Sequence, residues 1–257
     1  MPMPTKDFDK IHIVGSGNVG LQCGYFFKNQ GYATKWYGRS LRDIEFQDTV
    51  VSTIALENLN AGISDLIILC VNDDSIPAVS KFIGETKALV VHCSGTVGID
   101  ALIQRRKGAL YFFQSISKGE QIAFVNVPVY LEAALKDDEL LLCDWAKKNF
   151  SLIKVLSSNN RLKLHLAGVL INNFGNQLLA LTSEIFEGSD LELSDIAPLY
   201  NRTLAKAMEL GPSSSQTGPA KRGDHNTLEK HLKLLEDYHP DWSEIYKRFS
   251  NRIKDSN

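Results

Sequence analysis

The chain has 257 residues, 44% of them hydrophobic, which is enough for one large domain or two modest ones with a real core. Its formal net charge is −2, and acidic and basic residues are interspersed. This balance predicts no basic patch that would bind nucleic acid or an anionic membrane surface, so neither partner is expected.

The cysteines and the amino terminus indicate the compartment. Cys23, Cys70, Cys93 and Cys143 are widely spaced without a C-x-x-C pair, and three of them lie in apolar runs that we expect to be buried. The pattern favours reduced thiols over a disulfide frame or a zinc site, so no metal is expected. Residues 1–7 contain no apolar segment of a signal peptide, and no apolar run approaches the ~18 residues of a membrane span. We expect a soluble, cytoplasmic protein.

A glycine motif follows the first strand-like run. Residues 10–14 are apolar in character and lead into three glycines at the spacing G-x-G-x-x-G, after which residues 21–29 have a helical pattern. In this context the motif predicts a turn that offers backbone amides to the pyrophosphate of a dinucleotide. The alternative is a glycine-rich strand-to-helix turn without a ligand. The expected cofactor-binding residues are Gly15, Ser16, Gly17, Asn18, Val19 and Gly20.

The residues after the second predicted strand, 33–37, favour NADP over NAD. An NAD enzyme would place an acidic residue there to bind the ribose, but this chain has Arg39, Ser40 and Arg42. Guanidinium groups suit a 2′-phosphate, and no carboxylate is present to repel it. The alternative is a solvated basic loop.

Further apolar runs predict a doubly wound, mostly parallel sheet. Runs at 65–71 and 88–93, with a shorter one at 50–53, have the near-continuous apolar character of strands buried on both faces. Ligands bind beyond the carboxyl ends of such strands. We therefore place Val71, Asn72, Ser94 and Gly95 at the rim of the cofactor cleft, the last two in the nicotinamide pocket.

The pattern changes near residue 158. Strand-like segments at 108–117, 127–131 and 152–156 precede this point, and only helical periodicity follows it. We predict a Rossmann domain over 1–157 and an all-helical domain over 158–257, with a small-molecule substrate between them. The first predicted helix, 161–186, is long and mostly apolar, which predicts a homodimer whose partner helices cover it.

Four strings carry a family resemblance: residues 71–76 (VNDDSI), 92–95 (HCSG), 114–117 (QSIS) and 217–224 (TGPAKRGD), the last continuing as TLEKHL at 227–232. In them the chain resembles NADP oxidoreductases that carry a carboxyl-terminal domain of unknown function, DUF2520. These belong to the superfamily of 6-phosphogluconate dehydrogenase, ketopantoate reductase and pyrroline-5-carboxylate reductase. The resemblance implies a Rossmann fold, a 6-phosphogluconate dehydrogenase-like helical domain and substrate contacts from Gln114, Ser115, Arg222 and Asp224.

The chain departs from that superfamily at its catalytic positions. Asn172 stands where β-hydroxyacid dehydrogenases have a proton-transferring lysine, and an amide cannot exchange a proton near neutral pH. His165, on the same broad helix face, can, although a histidine on an apolar helix is more often a core residue. Residues 111–112 (Tyr-Phe) replace the family's usual His-Pro. For Asp224 and Arg222 the alternatives are a helix cap and an ion pair.

We expect an oxidoreductase that transfers a hydride between NADP(H) and a small C=O or C=N substrate, with His165 and Asn172 facing the reacting carbon. Because the lysine is absent, the rival is an NADP-binding sensor or interaction module without turnover. A helical scaffold with a relic Rossmann half is a third alternative.

Overall fold

The computed structural model describes residues 7–120 and 122–255, and within them it contains one nine-stranded sheet. The strand order is β3-β4-β2-β1-β5-β6-β7-β8-β9. The prediction that residues 1–7 hold no signal peptide rests largely on residues 1–6, which lie outside the described residues. The strands are β1 Lys10–Val14, β2 Ala33–Gly38, β3 Asp43–Phe46, β4 Thr49–Ala55, β5 Asp65–Leu69, β6 Leu89–His92, β7 Lys107–Phe112, β8 Val129–Ala133 and β9 Ile153–Val155.

The centre of the sheet is parallel, as its apolar runs predict. β1 pairs with both β2 and β5, β5 pairs with β6, and β6 pairs with β7, all in parallel. Alternate residues of β5 enter two separate clusters, since Leu66 and Ile68 lie in one and Ile67 and Leu69 in the other. The sheet therefore has a core on each face, and the predicted doubly wound fold is confirmed.

Two antiparallel pairings lie away from this centre. β7 pairs with β8 in antiparallel register from Gly108↔Ala133 to Phe112↔Val129. At the other edge, β3 and β4 form an antiparallel pair that the sequence reading missed. β3 has only four residues and two of them are acidic, so its apolar pattern is too short to stand out.

Helices alternate with many of the strands, and further helices follow the last strand. Trp145 and Phe27 come from two helices that pack on the same face, with ring centroids 5.0 Å apart. The helices are α1 Asn18–Asn29, α2 Ile76–Ile83, α3 Lys136–Asn149, α4 Ser158–Gly168, α5 Phe174–Phe186, α6 Leu193–Leu210, α7 Pro212–Ser215, α8 Pro219–Arg222, α9 His225–Tyr238 and α10 Pro240–Asp255.

No strand follows Val155 in the described residues, which confirms an all-helical carboxyl-terminal region. The long predicted helix is divided into α4, a π-helical segment Val169–Asn173, and α5. The chain forms two compact units, the first ending at Asn173 and the second beginning at Phe174. The domain boundary after residue 157 stays a prediction. Within residues 7–120 and 122–255, none of the helices combines the length and the apolar character needed to cross a membrane.

Candidate functional site

The glycine motif forms a turn with an uncovered helix end. Gly15 has a φ of +111°, and a side chain there would collide with the carbonyl oxygen of Cys70. Around Gly17 there is open space, because a Cβ would meet no atom within 4 Å. Gly17 is the N-cap of α1, no side chain caps this end, and the first turn holds no acidic residue. The first amides of α1 are thus available to an anion such as a pyrophosphate.

Arg42 lies beside this turn. Its Nη2 donates to Ser16 Oγ at 2.5 Å, so the guanidinium is held next to the glycine motif. Arg39 and Ser40 are exposed at the end of β2, and the Ser40 carbonyl accepts from Thr53 Oγ1 at 2.9 Å. The basic segment therefore borders the glycine turn through Arg42.

The carboxyl ends of β5 and β6 form the next part of the rim. Val71 lies 3.2 Å from the position of a Cβ on Gly15, and Asn72 begins a short helical turn over Asp73–Ser75. Ser94 is buried, and its Oγ accepts from the amides of Thr96 and Val97, each at 3.0 Å. Thr96 Oγ1 donates to Asp73 Oδ2 at 2.5 Å, which ties the two strand ends together.

Gly95, Tyr111 and His165 meet at one point. The Tyr111 hydroxyl and His165 Nδ1 share a hydrogen bond of 3.0 Å, although they are 54 residues apart in sequence. A Cβ on Gly95 would lie 2.6 Å from His165 Nδ1 and 2.9 Å from Tyr111 Cζ. Only glycine therefore lets the backbone approach this pair so closely.

A cavity of about 330 Å³ opens beside the Tyr111–His165 pair. At Gly168 a Cβ would lie 2.7 Å from the Phe113 ring, so the absent side chain lets this ring pack on α4. Part of the wall is the π-helical segment, a feature that often marks functional sites. The lining residues are Tyr111, Phe113, Gln114, Ser115, His165, Gly168, Val169, Asn172 and Asn173. Four residues predicted as catalytic or substrate contacts are thus brought together: His165, Asn172, Gln114 and Ser115.

The segment after β7 connects this cavity to the glycine turn. Asn18 Nδ2 donates to the Ile116 carbonyl at 3.2 Å, and Gln22 Nε2 donates to the Glu120 carbonyl. Val19, another residue of the motif, packs its side chain against the core. The amino-terminal part of α1 is therefore hydrogen-bonded to the segment that directly follows the cavity residues Gln114 and Ser115.

Arg161 is a site residue that the sequence reading missed. It is 1% exposed, and its guanidinium donates to the carbonyls of Ser94 at 3.1 Å and Val97 at 2.6 Å. It also pairs with Glu132, whose Oε2 accepts from Ser158 Oγ at 2.7 Å. Arg161 thus joins α4, β8 and the loop that carries Gly95. The sequence did not distinguish Arg161, because α4 also contains Lys163 and several polar residues.

Burial changes the titration of two groups near this loop. The pKa of Tyr111 is raised, mainly because burial disfavours the phenolate. The pKa of His92, at the end of β6, is lowered to about 4 by burial and then by the charge of Arg161. His92 is therefore neutral at pH 7, and its Nδ1 accepts from the Ser94 amide at 3.2 Å.

Arg222 and Asp224 belong to the second compact unit. Asp224 is the N-cap of α9: its Oδ1 accepts from the Thr227 amide at 3.2 Å and its Oδ2 from Thr227 Oγ1 at 2.8 Å. The capping alternative is therefore what the structure contains. Arg222 is exposed at the end of α8.

The four cysteines differ in burial. Cys23 is buried, whereas Cys70, Cys93 and Cys143 are only partly buried, so the prediction of three buried cysteines is wrong. All four are free thiols. Over the described ranges, His, Cys, Asp and Glu side chains form no group of three that could hold a metal ion.

Residues 127–253 match the family described as "Domain of unknown function (DUF2520)". No curated protein sequence gives a significant match. The chain is similar to the "putative NADP oxidoreductase" BF3122 from Bacteroides fragilis, with 26% identity over 97% of this chain and 99% of the other, and a TM-score of 0.80.

Two more distant structures share the fold. Protein TM1727 from Thermotoga maritima has 18% identity over 96% of this chain and 98% of the other, with a TM-score of 0.68. An imine reductase from Myxococcus stipitatus in complex with NADP+ has 14% identity over 96% of this chain and 93% of the other, with a TM-score of 0.64. The chain therefore has a Rossmann-type sheet of the NADP-binding reductase fold, and its residues 127–253 match the DUF2520 family model.

Proposed function

We propose that the chain is an NADP-dependent oxidoreductase that reduces a small, uncharged C=N or C=O substrate. The observation that carries the proposal is that one compact unit holds both an uncapped, glycine-lined helix end and a cavity lined by His165 and Asn172. The Asn18–Ile116 hydrogen bond joins this helix end to the segment that follows the cavity residues Gln114 and Ser115. The name of the similar Bacteroides fragilis protein supports the same activity.

The dinucleotide would be held by the residues predicted from the sequence. Gly15, Gly17 and Gly20 leave the backbone open, and the amides at the start of α1 would donate to the pyrophosphate. Ser16, Asn18, Val71, Asn72, Ser94 and Gly95 would form the rest of the cofactor site. When bound, the nicotinamide supplies the hydride, while the protein positions the partners and moves the proton.

Arg42 carries the preference for NADP. Its guanidinium already contacts Ser16 of the glycine motif, where a 2′-phosphate could accept from it. Arg39 and Ser40 would complete the phosphate site. The aspartate or glutamate with which an NAD enzyme binds the ribose is missing from residues 38–42.

The Tyr111–His165 pair would supply the proton. A phenol and an imidazole that share a 3.0 Å hydrogen bond can pass a proton between them, and both line the cavity. Asn172, Gln114 and Ser115 would orient the substrate by hydrogen bonds. Substrate contacts from Arg222 and Asp224 remain a proposal, which rests on the place of both residues beside Gly218 and Pro219 in the sequence.

The cavity favours a neutral substrate. Its lining residues, all in the described part of the chain, include no Lys, Arg, Asp or Glu. Among these described lining residues only His165, when it is protonated, could pair with a carboxylate or phosphate on the substrate, and burying an unpaired charge is costly. Cyclic imines and simple ketones therefore suit the site better than 2-keto acids.

The cofactor assignment is tested by fluorescence titration with NADPH and NADH. Replacing Arg39 or Arg42 with alanine should weaken NADPH binding by about 10- to 100-fold, the value of a charge-assisted hydrogen bond, and change NADH binding much less. Lys35→Ala, an exposed basic residue on β2, is the matched control and should change neither. Equal losses for both coenzymes would contradict the phosphate role.

The activity is tested by NADPH oxidation with a panel of cyclic imines, ketones and 2-keto acids. Turnover of an imine or ketone is the expected result. NADPH binding without turnover of any member would favour the rival function, an NADP-binding sensor or interaction module. Absence of binding by folded protein would contradict both.

We also propose that the protein is a homodimer in the cytoplasm. On α5 and α6 several large apolar side chains are exposed, among them Leu199 at 70% and Met208 at 80%. An apolar surface of this kind is typical of an interface, and a second copy would cover it. The free thiols agree with a reducing compartment.

A further inference from the structure

Three thiols surround the carboxyl end of β5, beneath the glycine turn. Cys70 directly follows β5, Cys93 directly follows β6, and Cys23 lies on α1. The Sγ atoms of Cys70 and Cys93 are 3.6 Å apart, and Cys23 is near enough to the Cys70 thiol to influence its pKa. None of these contacts is needed for the proposed oxidoreductase chemistry.

The backbone places Cys70 and Cys93 within reach of a disulfide. Their strands are parallel neighbours whose last pair is Leu69↔His92, so the two cysteines occupy the next position in register. Neighbouring strands lie about 4.8 Å apart, within the range of Cα separations that disulfides adopt. The sulfur atoms need only move from 3.6 Å to about 2 Å, which small side-chain rotations can supply.

The two thiols differ in reactivity. Hydrogen bonds from Cys23 and Cys93 lower the pKa of Cys70 to about 5, whereas burial raises the pKa of Cys93 well above its usual range. Of the two thiols, Cys70 is therefore the more acidic one and forms the thiolate more readily. Cys70 therefore suits the role of the attacking cysteine, and Cys93 suits the role of the resolving cysteine.

Cys70 is also mechanically coupled to the glycine turn. Its amide donates to the Val14 carbonyl at 2.8 Å, directly before the turn. Its carbonyl oxygen fills the space where a Gly15 side chain would be, and its Cβ lies 3.2 Å from the position of a Cβ on Gly20. A displacement of Cys70 therefore changes the packing of two glycines of the motif.

We propose that Cys70 and Cys93 are a peroxide-reactive thiol pair whose disulfide weakens dinucleotide binding at the glycine turn. The Cys70 thiolate attacks a peroxide oxygen, which breaks the O–O bond, forms a sulfenic acid and releases an alcohol or water after protonation. The Cys93 sulfur then attacks the Cys70 sulfur, and the sulfenic oxygen leaves as water with the Cys93 proton. Two thiols are oxidised by two electrons, and one peroxide is reduced.

The first test maps the oxidised bond and does not depend on the proposed function. The folded protein is treated with hydrogen peroxide, its remaining thiols are blocked, and its tryptic peptides are analysed by mass spectrometry. A linkage between peptides 43–81 and 88–105, reversed by dithiothreitol, is expected. Cys93→Ser should instead leave Cys70 as a dimedone-reactive sulfenic acid, and Cys143→Ser should behave like the parent. The proposal would be overturned if peroxide oxidised Cys143 before Cys70, or if the disulfide that forms did not include Cys70.

The second test addresses coupling to the cofactor, which rests on the proposed function. The reduced protein should bind NADPH at least tenfold more tightly than the oxidised protein, and saturating NADPH should slow formation of the disulfide. Cys93→Ser should bind NADPH like the reduced parent before oxidation. Formation of the disulfide with unchanged affinity would refute the coupling. Failure of the reduced protein to bind NADPH would refute the proposed function instead, while the peptide map still decides the thiol pair.

Discussion

The pairing of Tyr111 with His165 shows how a single position changes the chemistry available to the cavity. From the sequence, the tyrosine only marks the loss of the family's usual histidine. In the fold its hydroxyl lies 3.0 Å from His165 Nδ1, and both residues line the cavity. The pair was not predictable because its members are 54 residues apart and come from β7 and α4. No local pattern encodes that distance.

Replacing Tyr111 with phenylalanine tests this pair. The ring stays in place beside Gly95 while the hydroxyl is lost, so the folded protein should bind NADPH within about twofold of the parent but lose about 100-fold or more in kcat, the usual share of general acid catalysis. Steady-state kinetics on the best substrate of the panel measure this loss. Tyr130→Phe is the matched control, because Tyr130 lies opposite Tyr111 on β8 and is absent from the cavity lining. A similar loss in both variants would argue against a proton-transfer role.

At the scale of elements, α4 owes its position to a few polar contacts. Arg161 reaches two carbonyls of the loop after β6 and the carboxylate of Glu132 on β8. The sequence predicts the existence of this helix from its apolar periodicity, but it does not predict which strand or loop the helix contacts. The π-helical segment that follows was also missed, since its bonding pattern leaves no signature in the apolar spacing.

The replacement of Arg161 with methionine measures what these contacts contribute. It leaves the Glu132 carboxylate, whose side chain is 16% exposed, without its cation, and removing one partner of a buried pair costs about 3–5 kcal/mol. Urea unfolding should show a loss of this size, and hydrogen exchange should increase in residues 94–97. The double variant Arg161→Met/Glu132→Gln should recover part of the stability, because the unpaired charge is gone. A loss of unfolding free energy below about 1 kcal/mol would mean that the contacts of Arg161 do not hold α4 in place.

For the whole molecule, the apolar runs and the glycine motif were sufficient to predict a doubly wound, mostly parallel sheet and the change to helices after it. They were insufficient at the edges, where β3 is short and polar. They also could not show which apolar residues of α5 and α6 are left exposed on the surface of a single copy. That property depends on packing between distant segments, which periodicity alone does not specify.

If the protein is a homodimer, a charged substitution on the exposed apolar surface of α5 and α6 should change its oligomeric state. The parent should sediment as a dimer at micromolar concentration, and Leu199→Asp should shift it to the monomer, because a charge at an apolar interface is left unpaired. Asn201→Asp, an exposed position on the same helix, adds the same charge and should leave the dimer intact. Analytical ultracentrifugation distinguishes these cases. A parent that is monomeric throughout would contradict the proposal.

The antiparallel pairing of β7 with β8 limits which fragments of this protein can fold on their own. The DUF2520 match begins at residue 127, so a fragment that starts there would take β8 and β9 away from the remaining strands. The amides and carbonyls that pair Gly108–Phe112 with Val129–Ala133 would then form an open edge on both pieces. Such edges recruit other chains, and the fragment would tend to aggregate or to exchange strands. Although residues 127–253 are recognisable as a unit of sequence, they are not a unit of folding.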